Sequence, residues 1–151
     1  MIKQAPEPTL KMYIREVDSA INYELLNRLQ KQCLPNDTIY NVLTGHWWIA
    51  YDNNVPIAFA GMVRSNRWLD AGYLCRSGVI TQYRGKGIQK KLVAVREKKA
   101  KKLHWNWLIT DTYHNPASSN SLINAGFKLF DPSEPWGANG TLYWRKRIHA
   151  I

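Results

Sequence analysis

A glycine-rich basic turn, Gln82-Tyr83-Arg84-Gly85-Lys86-Gly87, constrains the fold of this chain more than any other feature. It follows an apolar segment typical of a strand and precedes a segment with helical periodicity. Gly85 and Gly87 can adopt positive φ, and the start of a helix directs unpaired N–H groups outward. The order of strand, turn and helix is therefore compatible with a phosphate-binding loop, and the turn taken alone is equally compatible with an ordinary surface turn. Its spacing differs from that of a Walker loop and of the dinucleotide-binding fingerprint.

The remaining pattern predicts one α+β domain that covers the whole chain of 151 residues. Alternating apolar residues, helical spacing and turn residues give the order β-α-α-β-β-β-α-β-α-β-β. The strands are expected at about 10–14, 46–51, 55–63, 68–80, 105–110, from 126 and at 141–147, the helices at about 18–34, 36–43, 87–102 and 116–124, and an irregular lead-in at 1–9.

Charge and composition narrow the class of protein. The net charge of +10 predicts a polyanionic partner, which could be nucleic acid, an acidic protein or a phosphate-rich cofactor. Most of the lysines in 87–102 are expected to form a solvated helix face. The sequence shows no membrane span, no secretory signal and no cluster of metal ligands, and Cys33 and Cys75 fall in separate elements. We therefore expect a cytoplasmic protein that binds no metal.

A second motif, taken together with the glycine turn, indicates a protein family. Asn115-Pro116-Ala117-Ser118 is followed by Gly126-Phe127, and with the turn at 82–87 this resembles the GCN5-related N-acetyltransferase family, whose signatures are [QR]-x-x-G-x-[GA] and N-x-x-S…G-F. The resemblance runs from about Leu10 to Arg147. It implies a three-layer α/β/α fold with a mixed, mostly antiparallel sheet, in which the fourth and fifth strands splay apart at a bulge.

The resemblance also implies acetyl-CoA as cosubstrate. The pantetheine arm would lie between the splayed strands, and the pyrophosphate would sit on the amides of residues 84–89. The residues that would contact the cosubstrate are Val79, Ile80, Gln82, Arg84, Gly85, Lys86, Gly87, Ile88, Gln89, Lys90 (or Lys91), Asn115 and Ser118.

Acyl transfer to an amine needs a base, a donor to the oxyanion and a proton for the departing thiolate. By analogy with the family, the backbone N–H of Ile80 would be the oxyanion donor. Asp70, on the fourth strand, and Asp111, at the end of the fifth, are the candidate bases nearest the expected cleft. His46 and His114 are further candidate bases, although such histidines are more often structural.

The proton donor departs from the family pattern. Many members carry a tyrosine seven positions after the asparagine, but Leu122 stands there. Ser118, Ser119 and Tyr113 are the candidate replacements. Direct transfer needs no cysteine, so Cys75 is expected to be a buried strand residue.

Three functions remain open. The first is an N-acetyltransferase that acts on an amine of a small molecule or a protein, as a monomer or homodimer. The second is a protein of the same fold that binds a partner protein, for a phage-borne member a host protein, with little or no turnover. The third is a nucleic-acid-binding module, a hypothesis that only the net charge supports. Among the tryptophans, Trp136 is the candidate wall of an acceptor cleft, and the positive charge disfavours a polyamine acceptor.

Overall fold

The computed structural model describes residues 10–149, so the predicted lead-in at 1–9 lies outside the described residues. Seven strands and three α-helices form in this part of the chain. They are β1 (Met12–Val17), α1 (Tyr23–Cys33), β2 (His46–Asp52), β3 (Val55–Arg64), β4 (Ala71–Val79), α2 (Ile88–Lys102), β5 (Trp107–Thr112), α3 (Pro116–Asn124), β6 (Lys128–Leu129) and β7 (Leu142–Arg147), with one 3₁₀ turn at Thr81–Tyr83.

The strands form a single sheet in the order β1-β2-β3-β4-β5-β7-β6. All neighbouring strands are antiparallel except β4 and β5, which run parallel. Asn53 and Asn54 adopt positive φ in the tight turn between β2 and β3, as expected for a hairpin turn of this composition. The predicted fold class, a mixed and mostly antiparallel sheet, is confirmed.

Helices cover both faces of the sheet. Leu26, Leu29 and Cys33 of α1 pack on one face in a cluster with residues of β2, β3 and β4. On the other face, α2 and α3 bury Leu92 and Leu122 in a second cluster. We call these the α1 face and the α2 face. None of the helices within residues 10–149 is long and apolar enough to cross a membrane.

The predicted helix at 36–43 is wrong, because this segment is a chain of turns between α1 and β2. The side chain of Gln30, which is buried in α1, accepts a hydrogen bond from the Tyr40 N–H at 2.9 Å and donates one to the Tyr40 carbonyl at 3.1 Å. A helix over 36–43 would need the Tyr40 N–H for its own bond to the carbonyl four residues earlier. The loop at 34–45 is therefore fixed by one amide side chain, and the helix after the glycine turn is the second rather than the third.

Helix α2 presents most of its lysines to solvent, as expected, but Arg96 is an exception. Its side chain is 3% exposed and donates to the carbonyls of Leu92 and Gly61 at 3.0 and 3.2 Å. Burial lowers the pKa of Arg96 to about 10. Arg96 therefore attaches α2 to β3 instead of lying on the solvated face of the helix.

Candidate active site

The cleft begins where β4 and β5 separate. These strands pair only at Ala71–Tyr73 with Trp107–Ile109, although both continue well beyond. At the branch point the Thr110 hydroxyl donates to the Leu74 carbonyl at 2.9 Å, so a side chain replaces the next ladder bond. The separation that the resemblance implied is present, and it leaves an opening between the carboxyl ends of two parallel strands.

A bulge in β4 lies beside this opening. Ala60 pairs with Ser77 and Met62 with Leu74, so β4 has one more residue than β3 between the two pairs. Cys75 and Arg76 occupy the extra length. Cys75 packs in the cluster on the α1 face, and the Arg76 guanidinium carbon lies 5.7 Å from the centre of the Tyr40 ring. The bulge therefore turns two successive side chains to the same face.

The backbone beyond the bulge corrects the predicted oxyanion donor. The Ile80 N–H donates to the Ile57 carbonyl on β3 at 2.9 Å, so the prediction that it faces the cleft is wrong. Because successive peptide groups in a strand point in opposite directions, Val79 and Ser77 direct theirs toward β5. The Arg84 Nε donates to the Val79 carbonyl at 3.1 Å. The N–H groups of Ser77 and Val79 are the candidate donors.

The glycine turn leaves room for a ligand. Gly85 and Gly87 have φ of +78° and +79°, and a Cβ atom built on either glycine would have no heavy atom within 4 Å. Gly87 immediately precedes α2 and provides no side-chain cap. The first N–H groups of α2 therefore point into open space, where the helix dipole favours an anion. Lys86 and Lys90 are exposed beside them, so the donor set fits a pyrophosphate.

Other predicted loop residues have structural partners. The Ile88 side chain is buried in the core of the α2 face, so only its backbone can reach a ligand. Gln89 accepts a hydrogen bond from the Ser77 hydroxyl at 3.2 Å, which attaches α2 to β4. Gln82 is exposed in the 3₁₀ turn.

Helix α3 starts at the same end of the sheet, because β4 and β5 are parallel. Asn115 caps it by accepting a hydrogen bond from the Ser118 N–H at 3.1 Å. The Ser119 and Thr112 hydroxyls are 3.1 Å apart. Leu122, at the usual tyrosine position, is buried in the core of the α2 face and supplies no proton.

An acidic network lies at the opening on the α1 face. The Tyr73 hydroxyl and the Trp136 indole N–H both donate to Asp111 Oδ2, at 2.6 and 2.8 Å. Burial and the nearby Asp111 carboxylate raise the pKa of Tyr73, so this hydroxyl stays a donor. Sequence reasoning found Asp111 and Trp136 but missed Tyr73. The alternation of side chains along β4 places Tyr73 on the same face as Cys75, and the sequence indicates this. The sequence does not indicate the parallel register of β4 and β5 that brings Tyr73 next to Asp111.

Asp70 does not join this network, so its prediction as a residue near the cleft is wrong. It precedes β4 with φ of +62°, and its carbonyl accepts hydrogen bonds from the N–H groups of Asn106 and Trp107. Its carboxylate accepts another from the Asn106 side chain. The nine residue-to-residue steps from Asp70 to Val79 span roughly 30 Å of extended chain. Asp70 thus joins β4 to β5 at the end opposite the opening.

Of the remaining residues, His46 and His114 lie at a strand start and in a loop, and Cys75 lies within β4. His46, at the start of β2, lies 3.5 Å from the Glu16 carboxylate. His114 follows β5 with positive φ, and its ring centre is 4.2 Å from that of Tyr113, which is 54% exposed. Cys75 is buried, and burial raises the pKa of its thiol to about 11, so it is a protonated strand residue at neutral pH.

A cavity of about 600 Å³ adjoins Asp111 on the α1 face. Tyr73 and Trp136, the two donors to Asp111, form part of its wall, as the prediction for Trp136 requires. The cavity is lined by Tyr40, Thr44, Gly45, Val63, Arg64, Ser65, Asn66, Arg67, Tyr73 and Trp136.

Residues 13–127 match the sequence profile described as the Acetyltransferase (GNAT) family. The chain belongs to this family. Among solved structures, this GNAT chain is similar to the IAA acetyltransferase from Bacillus cereus ATCC 14579, with a TM-score of 0.72 and 17% identity over 91% of this chain and 100% of the other. No curated protein sequence gives a match.

Two further solved structures share the fold. The ribosomal-protein-S18-alanine N-acetyltransferase from Escherichia coli has a TM-score of 0.72 and 13% identity, over 93% of this chain and 96% of the other. A GNAT acetyltransferase from Elizabethkingia anophelis with acetyl-CoA bound has a TM-score of 0.68 and 17% identity, over 91% and 98%. At these identities the likeness shows the fold.

Proposed function

We propose that this protein transfers the acetyl group of acetyl-CoA to a primary amine. One observation carries the proposal: the glycine turn at 84–87, with open space above both glycines, leads directly to the opening between β4 and β5. A long ligand with phosphates at one end and amides along its length matches both features. The same end of the sheet carries the Asp111 network, which would receive the amine.

The donor would bind as an added strand. Its pyrophosphate would accept hydrogen bonds from the first amides of α2, with Lys86 and Lys90 nearby. Its pantetheine arm would pair with backbone groups of Ser77 and Val79 that face β5 without pairing to it, other than the Val79 carbonyl, which already accepts from Arg84. This arrangement brings the thioester toward Tyr73 and Asp111, because both lie at the branch point of the strands.

The chemistry requires a neutral amine. Asp111 Oδ1 has no hydrogen-bond donor within residues 10–149, since Tyr73 and Trp136 both use Oδ2, and it would accept a proton from the acceptor ammonium. The amine nitrogen then attacks the thioester carbonyl, the C–N bond forms and the C–S bond breaks. The carbonyl oxygen would accept a hydrogen bond from the Ser77 or Val79 N–H. The nitrogen's surplus proton reaches the thiolate through a hydroxyl of Tyr73, Ser118, Ser119 or Tyr113.

Two measurements test the proposal. Acetyl-CoA at a hundred times its Kd should stabilise the folded protein by about 2.7 kcal/mol, because it binds only that state. Release of the CoA thiol should then follow addition of an amine from a panel. Gly87→Glu places a negative charge beside the phosphates and should abolish the acetyl-CoA-dependent rise in Tm.

Gly126→Glu is the matched control. Gly126 has positive φ like Gly87, so both variants have similar backbone strain. Gly126 follows the C-terminal end of α3, whereas the opening lies at the N-terminal end of that helix. Only Gly87→Glu should lose the ligand-dependent shift. Equal shifts in the two variants, or no shift in the wild type, would refute the assignment of the loop.

A second candidate function is binding of a partner protein without turnover, and buried Leu122 favours it because the usual proton donor is missing. It predicts a rise in Tm with acetyl-CoA and no thiol release with any amine, including peptide amines. The cytoplasmic location and the choice between monomer and homodimer stay predictions.

A further inference from the structure

The cavity beside Asp111 carries positive charge. Arg64 and Arg67 line it, together with the aromatic rings of Tyr40, Tyr73 and Trp136, and no acidic residue within 10–149 lines it. The Arg67 guanidinium carbon is 5.7 Å from the centre of the Trp136 ring. A volume of about 600 Å³ suits a small molecule.

A third guanidinium lies next to this wall. The bulge in β4 turns Arg76 to the α1 face, where its guanidinium carbon lies 5.7 Å from the centre of the Tyr40 ring. Arg76 Nε is buried and has no hydrogen-bond partner within residues 10–149. A buried donor without an acceptor is costly unless a ligand supplies one.

No carboxylate neutralises these three arginines. The ion pairs of residues 10–149 involve Glu16 and Glu97, and none includes Arg64, Arg67 or Arg76. Asp111, the acidic group next to the cavity, is held by Tyr73 and Trp136. The site therefore has one negative group at the opening and three positive groups around and beside the cavity.

We propose that the acceptor is a small amine that also carries an anionic group, a carboxylate or a phosphate. Its amine faces Asp111 and its anionic group faces Arg64, Arg67 and Arg76. This inference rests on the proposed function and names the substrate class of the same site. Guanidinium groups bind carboxylates and phosphates through charge-assisted hydrogen bonds, and an acceptor with positive charge alone would be repelled.

The test compares amines that differ only in the anionic group. One series is propylamine, 4-aminobutyrate and 3-aminopropyl phosphate, and the other is phenethylamine, phenylalanine and the α-aminophosphonate of phenylalanine. We expect kcat/KM, followed by release of the CoA thiol, to be at least roughly tenfold higher for an amine that carries an anionic group than for the simple amine of the same series, the usual effect of one hydrogen bond to a charged group. The better anion in each series distinguishes carboxylate from phosphate.

Variants locate the preference. Arg64→Gln, Arg67→Gln and Arg76→Gln should each reduce it by roughly tenfold and leave the acetyl-CoA-dependent shift in Tm intact. Arg64 and Arg67 are exposed, so these two variants should fold normally. Arg15→Gln, on the exposed surface of β1, is the matched control and should keep the preference.

The outcomes separate the two proposals. Turnover of amines with and without the anionic group at equal rates, or an equal loss with both in the arginine variants, would overturn the anionic acceptor and leave the acetyltransferase standing. An absence of turnover with every amine would overturn the acetyltransferase, and the anionic acceptor with it.

Discussion

At the scale of single residues, Asp111 is the side chain on which the proposed chemistry most depends. It lies on β5 two residues beyond the last pair with β4, so it faces the opening from the branch point. Two donors fix one carboxylate oxygen and leave the other for an amine. If Asp111 is the base, as proposed, this arrangement would position it without using the oxygen that accepts the proton.

Asp111→Asn should lower kcat by about 10²–10⁴-fold, the usual contribution of a general base. The acetyl-CoA-dependent rise in Tm should be unchanged, because the donor would bind at the loop and along β4. Asp131→Asn, an exposed change in the loop before β7, is the control. Full turnover by Asp111→Asn would place the base elsewhere.

His46 gives a prediction on pH. Burial and the neighbouring Lys99 lower its pKa, against the opposing effect of Glu16. The unfolded chain therefore binds the proton more tightly than the folded chain, so this residue's effect is to reduce stability as pH falls below the ordinary histidine pKa of about 6.5.

We expect the Tm of the wild type to fall more steeply between pH 7.5 and pH 5 than that of His46→Gln. The exposed His149 provides the control, since His149→Gln should keep the wild-type slope. Identical slopes for the wild type and His46→Gln would contradict the prediction.

The sequence predicted the local features of the site correctly and assigned wrong roles to two of its residues. The glycines of the turn and the Asn115 cap follow from local chemistry, so sequence alone was sufficient for both. Ile80 and Asp70 failed because their roles depend on which neighbouring strand takes each backbone group. Arg76 and Tyr73 escaped notice because a bulge and a parallel register, which are tertiary features, bring them to the cavity.

At the scale of elements, the loop at 34–45 shows how tertiary contacts override local propensity. Its composition suggested a short helix, but Gln30 takes both backbone groups of Tyr40. The positions of most strands, and of α3 over Pro116–Asn124, followed from periodicity and caps. The loop could not be predicted because its partner is a side chain on the preceding helix.

Gln30→Leu should destabilise the protein by about 1–3 kcal/mol, because it leaves a buried N–H and carbonyl without partners. Tyr40 lines the cavity, so we also expect a higher KM for the acceptor and an unchanged acetyl-CoA-dependent shift. Urea unfolding and acceptor kinetics measure the two effects. Gln32→Leu, exposed on the same helix, should change neither; equal effects of both variants would show that Gln30 does not act through the loop.

At the scale of the whole molecule, the sheet consists of two parts, β1 to β4 and β5 to β7, joined by three residue pairs. Each part is antiparallel within itself and well paired. A ligand that lies between them would supply the missing contacts along one side of the opening. Binding should therefore change backbone protection at few, identifiable positions.

Acetyl-CoA should slow amide hydrogen exchange at Ser77 and Val79, whose N–H groups turn toward the opening. Exchange at Ile80 should change little, because its N–H already bonds to Ile57. Residue-resolved exchange measured by NMR compares these neighbours directly. Slower exchange at Ile80 alone would show that the alternation inferred for β4 is wrong.

The opening between β4 and β5 also has a consequence for solution behaviour. Unpaired strand edges can recruit an extended segment of another chain, and proteins ordinarily protect the edges at the rim of a sheet. Here the separated parts of β4 and β5 form two such edges in the middle of the sheet, so the features that protect the outermost strands do not cover them. Acetyl-CoA bound as proposed would occupy the same backbone groups as an intruding strand, so we expect the free protein to aggregate more readily than the protein saturated with acetyl-CoA.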